Sequence, residues 1–316
     1  MPLSGVQPPL ESSLPTLSSE QRAVPLCFSV LIVLLFEDVF QTSSLLCAFH
    51  IAALLEDFPV YKDLAGLQVY KDKIENRECE NKHRKQQEVS FLWPQSRMSS
   101  DRALRKQQQL NNLVYVVINQ AKPGDRIVDF CSGGGHVGLV LAHVLPSCQV
   151  NLSTENKELS LIRAKKRSDE LGLSNIWFIQ ANMEYFAGMF NIGVALHACG
   201  VATDMVIEQC IKTRASFVTC PCCYGFIQNT SKFNFPKSEQ FKKTLSYKEH
   251  MVLCRFADQT AVQLPPQRRI IGKQCMCLVD LDRARAAEEH GYSVQVISME
   301  PESCSPKNNM IVGVPV

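Results

Sequence analysis

A glycine cluster at the junction of a predicted strand and a predicted helix is the feature that most constrains the fold of this chain. The apolar pair at 127–128 is typical of a buried strand, and residues 137–144 have a helix-compatible pattern. Between them, Asp129-Phe-Cys-Ser-Gly-Gly-Gly-His136 contains three consecutive glycines. Glycines at such a junction let the backbone turn sharply and let a ligand approach the amide groups of a helix N-terminus. The pattern predicts a ligand-binding loop at the end of a strand.

The residues around this loop indicate which ligand it binds. A phosphate-binding loop would end in Lys followed by Ser or Thr, and this loop does not. Asp129, directly before the glycines, is the acid that class I S-adenosylmethionine sites place at the amino-acid end of the cofactor. We therefore predict that Asp129, Cys131, Gly133 and Gly135 bind S-adenosylmethionine.

Polar residues also follow the next two predicted strands, at 148–154 and 176–179. Glu155 lies about twenty positions past the glycine loop, where an acidic residue binds ribose hydroxyls. Asn182 and Met183 are expected to contact the adenine amino group and the adenine face. The alternatives are an exposed helix-capping glutamate and an ordinary loop.

Strands and helices alternate along the rest of the chain. Further strands are predicted at 192–196 and 217–219, followed by a helix at 270–290 and a hairpin with strands at 292–299 and 310–314. This spacing predicts a mostly parallel α/β sheet that binds ligands at the carboxyl ends of its strands. A helix followed by a hairpin is how class I (Rossmann-like) methyltransferases close their sheet. Lys307 and Asn308 in the hairpin turn would then overlook the substrate, unless the turn is merely solvated.

Cysteine and histidine follow the fourth and fifth predicted strands, in His197-Ala-Cys-Gly and Cys220-Pro-Cys-Cys-Tyr224. His197 is expected to hydrogen-bond the methionine end of the cofactor or to act as a general base. Cys220 and Cys222 are candidate nucleophiles of the type used for RNA 5-methylcytosine, and Tyr224 is a candidate substrate contact. Zinc usually binds Cys-x₂₋₄-Cys pairs, whereas the spacings here are one and zero, so no metal is predicted. The simplest alternative is a pocket lined by small polarizable residues.

Four motifs carry a resemblance to a known family. In order, they are DFCSGGGHVG, HACGVATD, CPCCYG and SPKNN. From residue 121 onward the chain resembles the methyltransferase-like half of the glutathione S-transferase C-terminal domain-containing proteins. The resemblance implies cofactor roles for Asp129, Gly133, Gly135 and Glu155, and it implies no catalytic residue. HACGVATD is also similar to the His-Leu-Cys-Gly motif of tRNA 2′-O-methyltransferases, with Ala198 in place of leucine, which implies tRNA as an acceptor.

The N-terminal third has a different character. We predict a disordered segment at 1–21, part of an all-helical glutathione S-transferase C-terminal-like domain at 22–74 and a charged linker at 75–110. The methyltransferase domain is predicted at 111–316. The glutathione-binding thioredoxin-like domain is missing from this chain, so we expect no glutathione transferase activity. The helical region is expected to bind a protein partner.

Composition limits the remaining choices. The net charge of +2 is nearly balanced, so the chain has no overall field that would attract nucleic acid. Several of the 14 cysteines are clustered where disulfide bridges would be strained, which favours a reducing compartment and hence the cytoplasm. The apolar stretch at 24–36 is too short to span a bilayer, so no membrane association is predicted. Our hypothesis is an S-adenosylmethionine-dependent methyltransferase-like protein acting on RNA. The alternatives are a non-catalytic scaffold that retains both folds and an RNA 5-methylcytosine methyltransferase using Cys220 or Cys222.

Overall fold

A computed structural model describes residues 99–316 of the chain, apart from residues 155–157 and 182 and the side chain of Thr154. The predictions for segments 1–21 and 22–74, and for most of the linker at 75–110, lie outside the described residues. The roles predicted for Glu155 and Asn182 lie outside them as well.

The described residues form one seven-stranded sheet in the order β3-β2-β1-β4-β5-β7-β6. Its strands are β1 (Arg126–Asp129), β2 (Gln149–Thr154), β3 (Ile176–Gln180), β4 (Ile192–Ala198), β5 (Ser216–Pro221), β6 (Tyr292–Ser298) and β7 (Asn309–Pro315). The first five strands pair in parallel, and β7 is antiparallel to both β5 and β6. This arrangement confirms the predicted α/β class I (Rossmann-like) methyltransferase sheet.

Helices pack on the sheet, and several of them lie in the long connection between β5 and β6. They are α1 (Ser100–Gln120), α2 (His136–Val144), α3 (Glu158–Glu170), α4 (Ala202–Thr213), α5 (Glu239–Thr244), α6 (Tyr247–Ala257) and α7 (Pro266–Glu288). Two short 3₁₀ turns lie at Met183–Tyr185 and Glu302–Cys304. None of the helices described here is long and apolar enough to cross a membrane.

The central strands and α1 explain where the core lies. Ile127 and Val128 of β1 are both buried, as expected for a strand covered on both faces of a parallel sheet. On α1, the buried residues Leu110, Leu113 and Val117 recur at helical spacing. Helix α1 therefore packs on the sheet, and it extends across the predicted boundary between the linker and the methyltransferase domain at residue 110.

The closing hairpin brings its turn to the functional edge. Because β6 is antiparallel to β7, and β7 is antiparallel to β5, strand β6 runs in the same direction as β5. The turn between β6 and β7 therefore lies at the carboxyl ends of the parallel strands. Asn112 of α1 fixes this turn, since its side chain donates to the Glu300 carbonyl at 2.6 Å and accepts from the Glu300 amide at 2.8 Å.

Candidate functional site

The glycine loop connects β1 to α2 at the carboxyl edge of the sheet. Its backbone adopts positive φ angles at Cys131 (60°), Gly133 (52°) and Gly135 (74°). Only glycine visits this region without steric cost, so Cys131 is held there at a cost of about 1–3 kcal/mol. Strain of this kind is concentrated at ligand sites, which agrees with the binding role predicted for the loop.

Two glycines of the loop have different surroundings. A Cβ added to Gly135 would lie 2.5 Å from Leu152 Cδ2 and 2.8 Å from Ala164 Cβ. A Cβ added to Gly133 would meet nothing closer than the Cys131 carbonyl at 3.9 Å. Gly135 is therefore required for close packing of α2 and α3 on the sheet, whereas Gly133 leaves open space beside the loop.

This difference predicts losses of stability of different size for two matched substitutions. Gly135→Ala combines a positive φ with a steric clash and is expected to lower the free energy of unfolding by about 2–4 kcal/mol. Gly133→Ala is expected to cost only about 1 kcal/mol, from its backbone conformation alone. Urea denaturation followed by far-UV circular dichroism measures both. Equal losses of stability in the two variants would contradict this division of roles.

Asp129 ends β1 directly below the loop and is only 1% exposed. The backbone N–H of Gly138 donates to Asp129 Oδ2 at 3.1 Å. Burial raises the pKa of Asp129 to about 8, and the Gly138 hydrogen bond offsets only part of this effect. A cationic ligand group beside this carboxyl would favour its ionised form.

Arg167 of α3 holds the outer side of the loop. One guanidinium nitrogen donates to the Gly134 carbonyl, and Nη1 lies 3.2 Å from His136 Nδ1. Because arginine has only donors, this ring nitrogen must accept. Burial lowers the pKa of His136 to about 4, with smaller contributions from Arg167 and Lys106. The neutral imidazole and the guanidinium therefore fix the shape of the loop.

His197 and Met183 lie at the same edge of the sheet but in different surroundings. His197 is exposed near the end of β4, yet desolvation by the neighbouring protein lowers its pKa, and Lys106 lowers it further. A neutral His197 suits either of the roles predicted for it. Met183 is buried and packs in the core with Phe130 and Phe190. The cofactor contacts predicted for both residues stay predictions.

The thiols after β4 and β5 divide into two groups. Cys199 Sγ lies 3.1 Å from Cys222 Sγ, which in turn lies 3.7 Å from Cys223 Sγ. Cys220, by contrast, is buried at the end of β5, and burial raises the pKa of its thiol well above its usual range. A buried neutral thiol is poorly suited to attack a pyrimidine. Burial raises the pKa of the Cys222 thiol well above its usual range as well, so the nucleophilic roles predicted for Cys220 and Cys222 stay predictions.

The predicted substrate residues are tied into the rim of the sheet, which is formed by the segments that follow its strands at the carboxyl edge. The Tyr224 hydroxyl is fully buried and donates to Asp280 Oδ2 at 2.7 Å. Asn308 is also buried, and its side-chain oxygen accepts from Lys273. Lys307 is partly buried and pairs with Asp258, whose carboxylate also accepts the amides of Tyr224 and Gly225. Tyr224 and Asn308 thus stabilise the rim, and substrate contact by any of the three stays a prediction.

Sequence reasoning missed several residues that shape this edge. Lys106 reaches it from α1, Asp258 from the end of α6 and Lys273 from α7. None of the three belongs to a motif. Lys273 lies on the helix predicted at 270–290, whereas α1 and α6 were not predicted as helices. The only available signal was the Ser246-x-x-Glu249 capping box, which marks the start of α6.

Comparisons with known proteins agree with this architecture. A family profile described as "Methyltransferase domain" matches residues 105–230. The glutathione S-transferase C-terminal domain-containing protein of Homo sapiens is 93% identical over 222 residues, which are 70% of this chain and 35% of the human protein. The Drosophila melanogaster homolog is 47% identical over 222 residues, covering 69% of this chain and 38% of its own. The resemblance predicted from the four motifs is confirmed, and the chain spans about a third of the length of these relatives.

More distant similarities extend to other methyltransferases. Ribosomal RNA small subunit methyltransferase G of Acidovorax sp. (strain JS42) is 38% identical over 73 residues, 23% of this chain and 31% of that protein. The SAH-bound methyltransferase PaMTH1 of Podospora anserina has a TM-score of 0.42 at 8% identity, covering 80% of this chain and 96% of its own. SAH-bound magnesium protoporphyrin IX methyltransferase of Synechocystis PCC 6803 has a TM-score of 0.44 at 13% identity, covering 78% and 100%.

Proposed function

We propose that this chain is an S-adenosylmethionine-dependent methyltransferase that acts on RNA in the cytoplasm. The observation that carries the cofactor assignment is the buried Asp129 carboxyl beneath a glycine loop with an open side at Gly133. The observation that carries the acceptor assignment is a set of exposed aromatic and basic side chains at the same edge of the sheet. A protein partner for segment 22–74 remains part of the proposal.

The chain's own residues fit the cofactor. S-adenosylmethionine carries an ammonium group at its amino-acid end, next to a carboxylate, and when bound supplies an electrophilic methyl group. Asp129 has a pKa raised to about 8, so a cation beside it would convert a costly buried carboxyl into a stabilised carboxylate. Gly133 leaves room for the close approach of a ligand to the loop backbone. We assign Asp129 and Gly133 to binding and orientation of the cofactor.

The rim of the sheet suits single-stranded RNA. Phe226 is 73% exposed on the segment after β5, and Tyr185 is 78% exposed on the turn after β3. A salt bridge of 3.1 Å between Lys232 and Glu184 joins these two segments. Exposed aromatic rings beside cations are what proteins use to stack and hold unpaired bases. The similarity to a protein named as a ribosomal RNA methyltransferase supports the same acceptor class.

Phe226 provides the test of the RNA assignment. The full-length protein is expected to transfer label from S-[methyl-³H]adenosylmethionine to cellular RNA. Stacking of one base on an aromatic side chain contributes about 1–3 kcal/mol, so Phe226→Ala should raise the KM for RNA roughly 5- to 150-fold. The KM for the cofactor should stay unchanged. Scintillation counting of purified RNA at varied RNA and cofactor concentrations measures both constants.

Trp177→Ala is the matched control, because Trp177 is also an exposed aromatic residue, 45% exposed, but lies within the edge strand β3. Its KM for RNA should be that of the parent protein. Label that appears in protein and not in RNA would refute the acceptor assignment. Cofactor binding without transfer to either would favour the scaffold alternative.

A further inference from the structure

The three sulfur atoms at the ends of β4 and β5 are close enough to share one ion. Cys199, Cys222 and Cys223 have all their Sγ atoms within 4.8 Å of one another. An ion about 2.3 Å from each sulfur in tetrahedral geometry would separate them by about 3.8 Å. The shortest separation, 3.1 Å between Cys199 and Cys222, needs to increase only slightly to reach that value.

The spacing rule for zinc motifs does not apply to this cluster. That rule describes two cysteines on one tight turn, whereas here the ligands come from the ends of two neighbouring parallel strands. Strands β4 and β5 pair directly, with Ala198 opposite Pro221. The residues that follow them, Cys199 and Cys222, therefore meet although they are far apart in sequence. Adjacent Cys223 completes the set.

Both segments that carry the thiols are held by hydrogen bonds to each other, to the buried Arg283 and to the partly buried Asp258. The Gly200 amide donates to the Cys223 carbonyl at 2.8 Å, which fastens one segment to the other. The Gly200 carbonyl accepts from the buried Arg283 at 2.9 Å. Asp258 accepts the amides of Tyr224 and Gly225 at 3.1 Å and 2.7 Å. Metal sites work when their ligands are fixed in this way by surrounding hydrogen bonds.

We propose that Cys199, Cys222 and Cys223 bind one Zn²⁺ ion as thiolates, with the fourth coordination position open to water or substrate. Cys199 is exposed and the other two thiols are partly buried, so an ion can enter. Among the residues that the structure describes, no further histidine, cysteine or acidic ligand belongs to the group. Three protein ligands with one open position are typical of zinc sites that take part in chemistry. Binding releases three thiol protons to the solvent and leaves a complex of net charge −1, beside the ammonium of Lys307.

This site does not depend on the cofactor, and it is tested separately from it. The full-length protein is reduced, freed of metal with a chelator, and titrated with Cd²⁺, whose thiolate complexes absorb in the ultraviolet. We expect this absorbance to saturate at one equivalent of Cd²⁺. The Zn²⁺ affinity of each protein is measured by competition with a chromophoric chelator, and we expect it to be at least about 100-fold weaker in Cys199→Ser. Cys277→Ser, which removes a partly buried thiol on α7 outside the cluster, should bind like the parent protein.

A second measurement uses the unaltered protein, so it does not rely on any variant folding. Zn²⁺ should protect Cys199, Cys222 and Cys223 from iodoacetamide, as read by peptide mass spectrometry, and should leave the labelling of Cys277 unchanged. Equal alkylation of the three thiols with and without Zn²⁺ would overturn the proposal. So would a failure of the protein to bind Zn²⁺ after full reduction, once any Cys199–Cys222 disulfide has been cleaved. The Cys199→Ser variant should still bind S-adenosylhomocysteine. Its cofactor binding therefore distinguishes a failure of the zinc proposal from a failure of the cofactor proposal.

Discussion

Asp129→Asn is expected to make the protein more stable and at the same time unable to bind S-adenosylmethionine tightly. The carboxyl is buried, and its pKa is raised to about 8. Each unit of pKa shift corresponds to about 1.4 kcal/mol. Asn has the same shape, can still accept from Gly138 and carries no charge to bury. We expect the free energy of unfolding to rise by about 2–4 kcal/mol at pH 8.

The sign of the pH dependence follows from the same shift. Asp129 holds its proton more tightly in the folded protein than in the unfolded chain, where the pKa is near 3.8. Its contribution to stability is therefore present below pH 4 and is lost as the pH rises through about 8. The gain from Asp129→Asn should be near zero at pH 4 and should reach its full size at pH 8. Thermal melts across this range measure the difference.

Cofactor binding is the second property that Asp129→Asn is expected to change. In the parent protein, a bound cation should ionise Asp129, so S-adenosylhomocysteine is expected to release close to one proton on binding at pH 7. Isothermal titration in buffers of different ionisation enthalpy detects that proton. Asp129→Asn should release none and should bind at least about tenfold more weakly, since a charge-assisted contact contributes about 1.5–3 kcal/mol. Asp169→Asn, on an exposed position of α3, is the matched control and should change neither stability nor binding. Unaltered affinity in Asp129→Asn would remove Asp129 from the cofactor site.

The sheet could be predicted from the sequence because its signals are local. Short apolar runs such as those at Ile127 and Ile192 can be buried only as central strands, and polar residues or glycines mark where each run ends. Helices α5 and α6 could not be predicted in the same way. They lie in a long insertion between β5 and α7, and they are short, at 6 and 11 residues, so few buried positions recur to mark a helical period.

The site was less accessible to sequence reasoning, because its geometry depends on which strands are neighbours. The contact between Cys199 and Cys222 follows from the pairing of β4 with β5, and a rule based on spacing along the chain does not detect it. The sequence of α7 carries no sign that its charged residues Asp280 and Arg283 are buried. In the structure, α7 packs against β6, β7 and α6 at once, so Asp280 and Arg283 are buried.

Arg283 lies at the centre of a buried charge network behind the rim. Its guanidinium bonds to Asp204 at 2.8 Å, to Asp280 at 3.4 Å and to the Gly200 carbonyl at 2.9 Å. Burial works against its charge, but the two carboxylates outweigh this effect and raise the pKa of Arg283 above its ordinary value. Asp280 also accepts from Tyr224 at 2.7 Å. The network therefore connects α4 and α7 with both segments that carry the clustered thiols.

Arg283→Met is expected to lower the free energy of unfolding by about 3–5 kcal/mol at pH 7, because it leaves two buried carboxylates without their cation. The loss should be smaller at pH 5. Burial already raises the pKa of Asp280 to about 6, and loss of Arg283 removes the cation that opposes this shift, so protonation can neutralise Asp280 as the pH falls. Lys212→Met is the matched control: Lys212 pairs with Glu208 at 2.7 Å on the exposed face of α4, and its loss should cost at most about 0.5 kcal/mol. Urea denaturation at both pH values measures these differences. A loss in Arg283→Met no larger than that in Lys212→Met would show that the rim does not depend on this network.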